Sequence, residues 1–119
     1  MARLVGLVLL PGVASGSVVQ LDGGGAVAVA APAEGPVFVA VRPESVALYL
    51  SRPEGSPRNV WPASVVAATP HGSVVRCDLA GEVPLTADVT ATSFAELGLA
   101  PGVPVWATVK AADVAVYAR

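Results

Sequence analysis

Few residues in this chain are of the types that carry catalysis. Lys110, the single lysine, is followed by Ala111, whereas a phosphate-cradling loop ends in lysine followed by serine or threonine. His71, the single histidine, stands in Thr69-Pro-His-Gly-Ser73, a stretch typical of a turn between two strands. Both residues are interpreted as non-catalytic, and we expect no enzyme activity from this chain.

Metal binding and disulfide formation are not indicated either. Cys77, the single cysteine, alternates with Val75 and Leu79, so it is interpreted as a small buried apolar residue of a strand. One histidine and one cysteine are too few for a zinc site, and the nine acidic residues lie singly, without the spacing of a calcium loop. A lone cysteine also fits a reducing, cytoplasmic compartment.

Length and composition point to a small β protein. The 119 residues suffice for one compact domain or for two very small barrels that share a core. Apolar residues make up 54% of the chain, and the many valines favour strands because a branched Cβ suits a pleated, half-buried surface. The seven basic residues are scattered and the net charge is −2, so nucleic acid is not an expected partner.

The first residues permit two interpretations. Arg3 precedes the apolar stretch Leu4–Leu10, and Val13-Ala-Ser15 follows, an order that imitates a short signal peptide. The alternative is a buried first strand. Pro11 and Gly12 interrupt the stretch well before the roughly 20 residues that a membrane-crossing helix needs. The strand interpretation is preferred, with a secreted β-barrel kept as an alternative.

Turn-forming residues divide the chain into strand-like runs. Residues 18–22 and 26–30, joined by three glycines, predict a hairpin. Further runs at 37–41 and 46–50 predict two more strands. The segment 51–59 is rich in proline, glycine, serine and charge, which predicts a boundary between an N-terminal β segment, residues 1–50, and a C-terminal module, residues 51–119.

Alternation of apolar and polar residues is cleaner in the C-terminal module. It predicts a strand for residues 74–79 and another for residues 85–92. In the second of these, alternate positions form one polar face, consisting of Thr86, Asp88, Thr90 and Thr92.

One short helix is predicted at Ser93–Leu97. Ser93 would cap its free amides, Glu96 would reach back to the Ser93 amide, and Gly98 would end it. Strands at 103–110 and 113–117 follow. Several short strands, one short helix and turns rich in glycine and proline predict an all-β fold, specifically a small OB-like barrel. Trp61 and Trp106 are interpreted either as core residues or as a contact surface.

Two stretches, Asn59–Val65 and Val89–Ala111, resemble the Mop-type TOBE family. The second is the more specific, because it combines a hydroxyl-rich strand, an ELGL helix, an APG turn and a strand ending in VKA. The segment Ser56-Pro-Arg-Asn59 is similar to the SARN sequence of the family, with Pro57 in place of the alanine. The resemblance extends to Arg3–Gly6 and Val41–Glu44, which look like the stretch that follows the nucleotide-binding domain of ABC importer ATPases.

The resemblance implies a regulatory and dimerising domain of an importer's ATP-binding subunit. Its partners would be a second copy, the ATP-binding domain and the permease, and it would meet the membrane only through the permease. Members that bind ligand hold molybdate or tungstate where subunits meet, and no other cofactor is implied. Carried over by position, the candidate oxyanion-binding residues are Ser56, Arg58, Asn59, Thr90, Ser93, Lys110 and the amide of Ala111.

A free-standing cytoplasmic protein that stores molybdate is the alternative function. In either case this chain departs from the family pattern at one place. Ligand-binding members usually have serine or threonine where this chain has Ala112 or Asp113. A carboxylate about 4 Å from a unit negative charge costs about 4 kcal/mol at an effective dielectric of 20, so Asp113 would oppose a dianion.

Overall fold

The described residues of the computed structural model, 2–4, 7–55 and 59–119, form two antiparallel β-sheets. Side chains are described from residue 7 onward. Sheet A has the strand order β1-β2-β3-β9 and sheet B the order β4-β8-β5-β6-β7. The strands are β1 (Ala2–Leu4), β2 (Leu7–Leu21), β3 (Ala26–Val41), β4 (Ala47–Tyr49), β5 (Asn59–His71), β6 (Val74–Gly81), β7 (Leu85–Thr90), β8 (Pro104–Val109) and β9 (Val114–Ala118).

Helical structure in the described part of the chain is short. Helix α1 covers Ala91–Glu96, and two 3₁₀ turns cover Pro43–Ser45 and Ala111–Asp113. The all-β, OB-like class predicted from the sequence is confirmed. The predicted helix, however, begins two residues earlier than Ser93, because another side chain caps it.

A long ribbon of β2 and β3 replaces several shorter predicted strands. The turn between them uses Gly24 and Gly25 at φ 104° and 84°, a region that glycine enters without a Cβ penalty. The runs 26–30 and 37–41 belong to one strand, β3. The pairing with β2 is irregular in the middle of β3: Gly16 pairs with Ala33, whereas Val18 pairs with Ala28. This shift in register lets the residues between the two runs stay within one strand.

The N-terminal segment and the C-terminal module, the two halves of the chain, each contribute one strand to the sheet of the other. β4, from the N-terminal segment, pairs with β8 in sheet B, whereas β9, from the C-terminal module, pairs with β3 in sheet A. The two pairings have the same register. Tyr49 stands opposite Trp106, and Tyr117 stands opposite Phe38. The strand–turn–strand unit 37–49 thus has the same strand pairing as the unit 105–117, which makes the two units a structural repeat.

The 3₁₀ turns inside these two units have nearly the same backbone. Arg42 precedes the first turn at φ −80° and ψ 139°, and Lys110 precedes the second at φ −69° and ψ 140°. The residues after the turns, Val46 and Val114, also agree within a few degrees. Arg42 is therefore the structural counterpart of Lys110.

One hydrophobic core spans both sheets. Valines of β2 and β3 pack with residues of β5 to β9 in a single buried cluster, which includes Trp61 at 9% exposure. Trp61 is thus a core residue, while Trp106 is only partly buried. The cluster contains residues from both sides of the segment 51–59, so the stretches before and after that segment pack against each other.

Candidate functional site

Lys110 lies where β8 leaves sheet B. The strand ends at Val109, and the extended backbone of Lys110 leads into the second 3₁₀ turn, in which the amide of Asp113 donates to the carbonyl of Lys110 at 2.9 Å. Ala111, the first residue of the turn, is 9% exposed and so anchors it in the protein. The ammonium group of Lys110 is exposed and forms no ion pair within the described ranges. It is consequently available to an anionic ligand.

The Lys110 side chain lines an open cavity of about 440 Å³ on the outer face of sheet B. Residues from β4, β8, the two 3₁₀ turns and the segment after β4 surround it. They are Ser45, Ala47, Tyr49, Pro53, Glu54, Thr108, Lys110 and Asp113. The cavity combines three hydroxyl groups and one ammonium group with two carboxylates, so it can both donate and accept hydrogen bonds.

Thr90 and Ser93 form the cap of α1. The amide of Ser93 donates to Oγ1 of Thr90 at 3.0 Å, so Thr90 is the N-cap and Ser93 lies inside the first turn. The prediction that Ser93 caps the helix is wrong, because β7 ends in extended backbone at Thr90 (φ −67°, ψ 153°). Gly98 follows the helix at φ 63°, as predicted.

Asn59 is buried at 3% exposure and its amide is engaged by β3. Oδ1 accepts from the amide of Ala28 at 2.7 Å, and Nδ2 donates to the carbonyl of Ala28 at 3.0 Å. Trp61 adds a hydrogen bond from Nε1 to the carbonyl of Ala26 at 3.2 Å. These contacts give the Asn59 side chain a structural role that does not require a ligand. Ser56 and Arg58, also candidates from the sequence, lie outside the described residues.

The described candidates fall into separate groups. Lys110 follows Val109, which pairs with Asn59 at the first residue of β5. Thr90 pairs with Val74, next to the hairpin that ends β5 at His71. The register thus places Lys110 and Thr90 at opposite ends of β5, and neither Thr90 nor Ser93 lines the Lys110 cavity.

The polar face predicted for residues 85–92 does not exist as a row of exposed hydroxyls. Thr86 is 1% exposed and donates to Oδ1 of Asp78 at 3.4 Å. Asp88 accepts two hydrogen bonds from Arg76, from Nε at 2.8 Å and from Nη2 at 2.9 Å. β7 lies against the first 3₁₀ turn, and on the side expected to face solvent Thr86 is buried and Asp88 is partly buried, while Thr90 is exposed.

The Arg76–Asp88 pair shifts the titration of both groups. The hydrogen bonds from Arg76 hold the pKa of Asp88 below its ordinary value, although partial burial opposes the shift. The same hydrogen bonds raise the pKa of Arg76 against desolvation, with Asp88 and Glu44 adding through their charge. Both side chains are therefore charged near neutral pH, and the pair joins β6 to β7 across one register position.

His71 and Cys77 occupy the positions that the sequence predicts. His71 ends β5 beside the Gly72-Ser73 turn and is exposed. Cys77 is fully buried, and burial raises the pKa of its thiol, which disfavours the reactive thiolate. No group of three or more histidine, cysteine, aspartate or glutamate residues suited to a metal ion occurs in residues 7–55 and 59–119.

Sequence reasoning missed Ser45, Tyr49 and Thr108 as neighbours of Lys110. The first two belong to the N-terminal segment and reach the cavity only because β4 is exchanged into sheet B. A signal for this was present in the sequence. The segment Val41-Arg-Pro-Glu-Ser-Val-Ala-Leu-Tyr49 aligns with Val109-Lys-Ala-Ala-Asp-Val-Ala-Val-Tyr117, and such internal similarity indicates a structural repeat.

Comparison with known proteins identifies the family. The sequence profile of the TOBE domain matches residues 55–116, so the chain belongs to the TOBE domain family. The molybdate/tungstate import ATP-binding protein WtpC of Pyrococcus abyssi is 32% identical over 98% of this chain. The molybdenum import ATP-binding protein ModC of Bordetella parapertussis is 41% identical over 80% of the chain.

These relatives are much longer than the chain. It spans 34% of the length of WtpC and 28% of the length of ModC. Among solved structures, the cytoplasmic molybdate-binding protein ModG, crystallised with molybdate bound, superposes with a TM-score of 0.85 at 23% identity. The match covers 99% of this chain and 100% of that chain, which establishes a common fold. Within the described residues, none of the helices has both the length and the apolar character needed to span a bilayer.

Proposed function

We propose that the chain is a non-catalytic regulatory domain of an ABC importer's ATP-binding subunit and that it senses a tetrahedral oxyanion. The observation that carries this proposal is Lys110, which has no ion pair among the described residues and lies in a cavity that also offers the hydroxyls of Ser45 and Thr108. A tetrahedral anion requires convergent N–H and O–H donors with limited positive charge. The named functions of WtpC and ModC support molybdate or tungstate as the class of ligand to test first.

The partners follow from the same relatives. As part of such a subunit, the domain would contact the ATP-binding domain and, through it, the permease, and would work on the cytoplasmic side of the membrane. Ligand binding would then change the contacts between these domains. The domain would contribute no chemical step of its own.

A free-standing molybdate-storage protein is the second candidate function. It is favoured by one observation, namely that the superposition with ModG extends over the whole of that protein's chain. A reading frame that continues upstream of Met1 into a nucleotide-binding motif would support the importer subunit. A separate gene with its own start would support storage.

We include a homodimer in the proposal. Lys110 and Thr90 lie at opposite ends of β5, so the candidates carried over from the family require a second copy to meet at one site. Each sheet also carries an outer row of proline, aromatic residue and tyrosine: Pro62, Trp106 and Tyr49 in one, Pro11, Phe38 and Tyr117 in the other. Sedimentation equilibrium should give a dimer, and a monomer independent of concentration would contradict this part.

Calorimetric titration with molybdate, tungstate and sulfate tests the sensing function. We expect saturable binding by the wild type and a loss of roughly 10- to 100-fold in affinity for Lys110→Ala, the equivalent of one charge-assisted contact. Arg42→Ala is the matched control, because Arg42 precedes the equivalent 3₁₀ turn but does not line the cavity. Ser93→Ala tests the other group of candidate oxyanion-binding residues, which consists of Thr90 and Ser93. Absence of binding heat with every oxyanion would refute the proposal.

A further inference from the structure

The cavity around Lys110 has an unusual charge for an anion site. Among the described residues, one ammonium group and two carboxylates, those of Glu54 and Asp113, line the cavity, and none of the three is ion-paired within that part of the chain. In the described part of the chain, the charged side chains that line the cavity are Lys110, Glu54 and Asp113, which sum to −1 when all are ionised. The hydroxyls of Ser45, Tyr49 and Thr108 also line the cavity.

This charge distribution separates two kinds of tetrahedral oxyanion. Molybdate, tungstate and sulfate are fully deprotonated near neutral pH and offer only acceptor oxygens, so each oxygen that approaches a carboxylate is repelled. Phosphate retains at least one proton under the same conditions. Its P–O–H group can donate to a carboxylate, which replaces repulsion by a charge-assisted hydrogen bond.

The turn that holds Asp113 does not require a carboxylate. Its structural counterpart in the first 3₁₀ turn is Ser45, and the two turns have nearly identical backbone angles at both ends. The Asp113 side chain is exposed and makes no hydrogen bond within the described part of the chain. Local folding therefore does not explain the carboxylate, whereas on the wall of the cavity it is placed to contact a ligand bound there.

We propose that the Lys110 cavity selects a protonated tetrahedral oxyanion, of the phosphate class, over fully deprotonated molybdate, tungstate and sulfate, and that Asp113 sets this selectivity. Lys110 binds the anionic oxygens, the hydroxyls of Ser45 and Thr108 donate to them, and Asp113 accepts the proton of the ligand. This inference rests on the proposed function in placing an oxyanion at Lys110, and it changes the chemical identity of that oxyanion.

The test is a calorimetric comparison of inorganic phosphate with sulfate and molybdate on the full chain near neutral pH. The wild type should bind phosphate at least 10-fold more tightly than either of the other two. Asp113→Asn should weaken phosphate binding by roughly 10-fold and strengthen sulfate and molybdate binding, so that the preference is lost or reversed. Glu96→Gln, which neutralises an exposed carboxylate on α1, is the control and should leave all three affinities unchanged.

The possible failures are distinguishable. If the wild type binds molybdate or sulfate at least as tightly as phosphate, and Asp113→Asn leaves the ratio unchanged, phosphate selectivity is wrong while oxyanion sensing stands. If neither protein binds any of the three anions, both the selectivity and the sensing function are wrong. Unchanged near-ultraviolet circular dichroism of Asp113→Asn would establish that the variant is folded.

Discussion

The amide of Asn59 completes the hydrogen bonding of a strand to which it does not belong. β9 covers β3 only along residues 37–41, and further along β3 the amide and carbonyl of Ala28 are paired with the Asn59 side chain instead. An asparagine side chain can do this because its amide has the same donor and acceptor as a peptide group. At this position the need to satisfy buried backbone groups accounts for the residue type.

Replacing Asn59 by alanine should therefore destabilise the fold. We expect a loss of about 2–3 kcal/mol in the free energy of unfolding, since two hydrogen bonds are removed and two backbone groups in a largely buried place lose their partner. Urea denaturation would measure it as a lower midpoint with an unchanged slope. Thr69→Ala, at an exposed position on the same strand that has no side-chain hydrogen bond to a described residue, should stay within about 0.5 kcal/mol of wild type. Equal stabilities of the two variants would contradict this role.

At the scale of secondary-structure elements, the junction of β7 and α1 depends on a single side chain. Thr90 ends the strand and caps the helix, so one residue fixes both where pairing stops and where the helical turn starts. The helix has only six residues, too few to be stable without capping and packing. Its position on the barrel consequently depends on Oγ1 of Thr90 together with the packing of Phe94 and Leu97 against the core.

The cap assignment is tested by comparing two substitutions three residues apart. Thr90→Ala removes the acceptor for the Ser93 amide and should cost about 1 kcal/mol of stability. Ser93→Ala leaves that hydrogen bond intact, because only the backbone of Ser93 takes part, and should change stability by less than about 0.5 kcal/mol. Thermal or urea unfolding of both variants distinguishes the two. A larger effect at Ser93 would favour the cap predicted from the sequence.

The sequence predicted elements better than it predicted their partners. Alternation along 74–79 and the turn at His71 were sufficient to predict β6 and its hairpin, because these features depend on neighbours in the chain. The single strand β3 was not foreseen, since only the register shift against β2 allows residues 26–41 to stay extended. Thr86 was expected on a solvent-facing side because the sequence does not reveal that β7 packs against the first 3₁₀ turn.

For the candidate site, too, the sequence predicted local structure better than it predicted contacts between distant residues. The sequence placed Lys110 and Ala111 correctly at the end of a strand, but Ser45 and Tyr49 join Lys110 only through the exchange of β4. Asn59 was selected by its position in a family motif, whereas its contacts are with Ala28, far away in the chain. Local patterns carry no information about such distant pairs.

At the scale of the whole molecule, each half supplies an edge strand to the other. β4 is held by β8, and β9 is held by β3, while Asn59 and Trp61 add hydrogen bonds to the N-terminal ribbon. The buried cluster also includes residues from both halves. The halves are thus joined by two pieces of sheet and a shared core in addition to the covalent link.

Cutting the link should not separate the halves. A site-specific protease sequence inserted at the exposed Gly55 would allow the folded full chain to be nicked between β4 and β5. We expect the nicked protein to elute from gel filtration in one peak with the uncut protein at micromolar concentration, because the contacts between halves remain. In urea above the unfolding midpoint the two fragments should elute separately. Dissociation in native buffer would show that the link, rather than the exchange, holds the halves together.

The exchange of β9 also bears on how the chain is made. Residues 37–41 of β3 receive their outer neighbour only when residues 114–118 have left the ribosome. Until then a nascent chain presents an unpaired edge rich in valine, the kind of edge on which chains aggregate. We therefore expect termination of translation before residue 114 to yield insoluble product rather than a smaller folded domain, because sheet A then lacks β9.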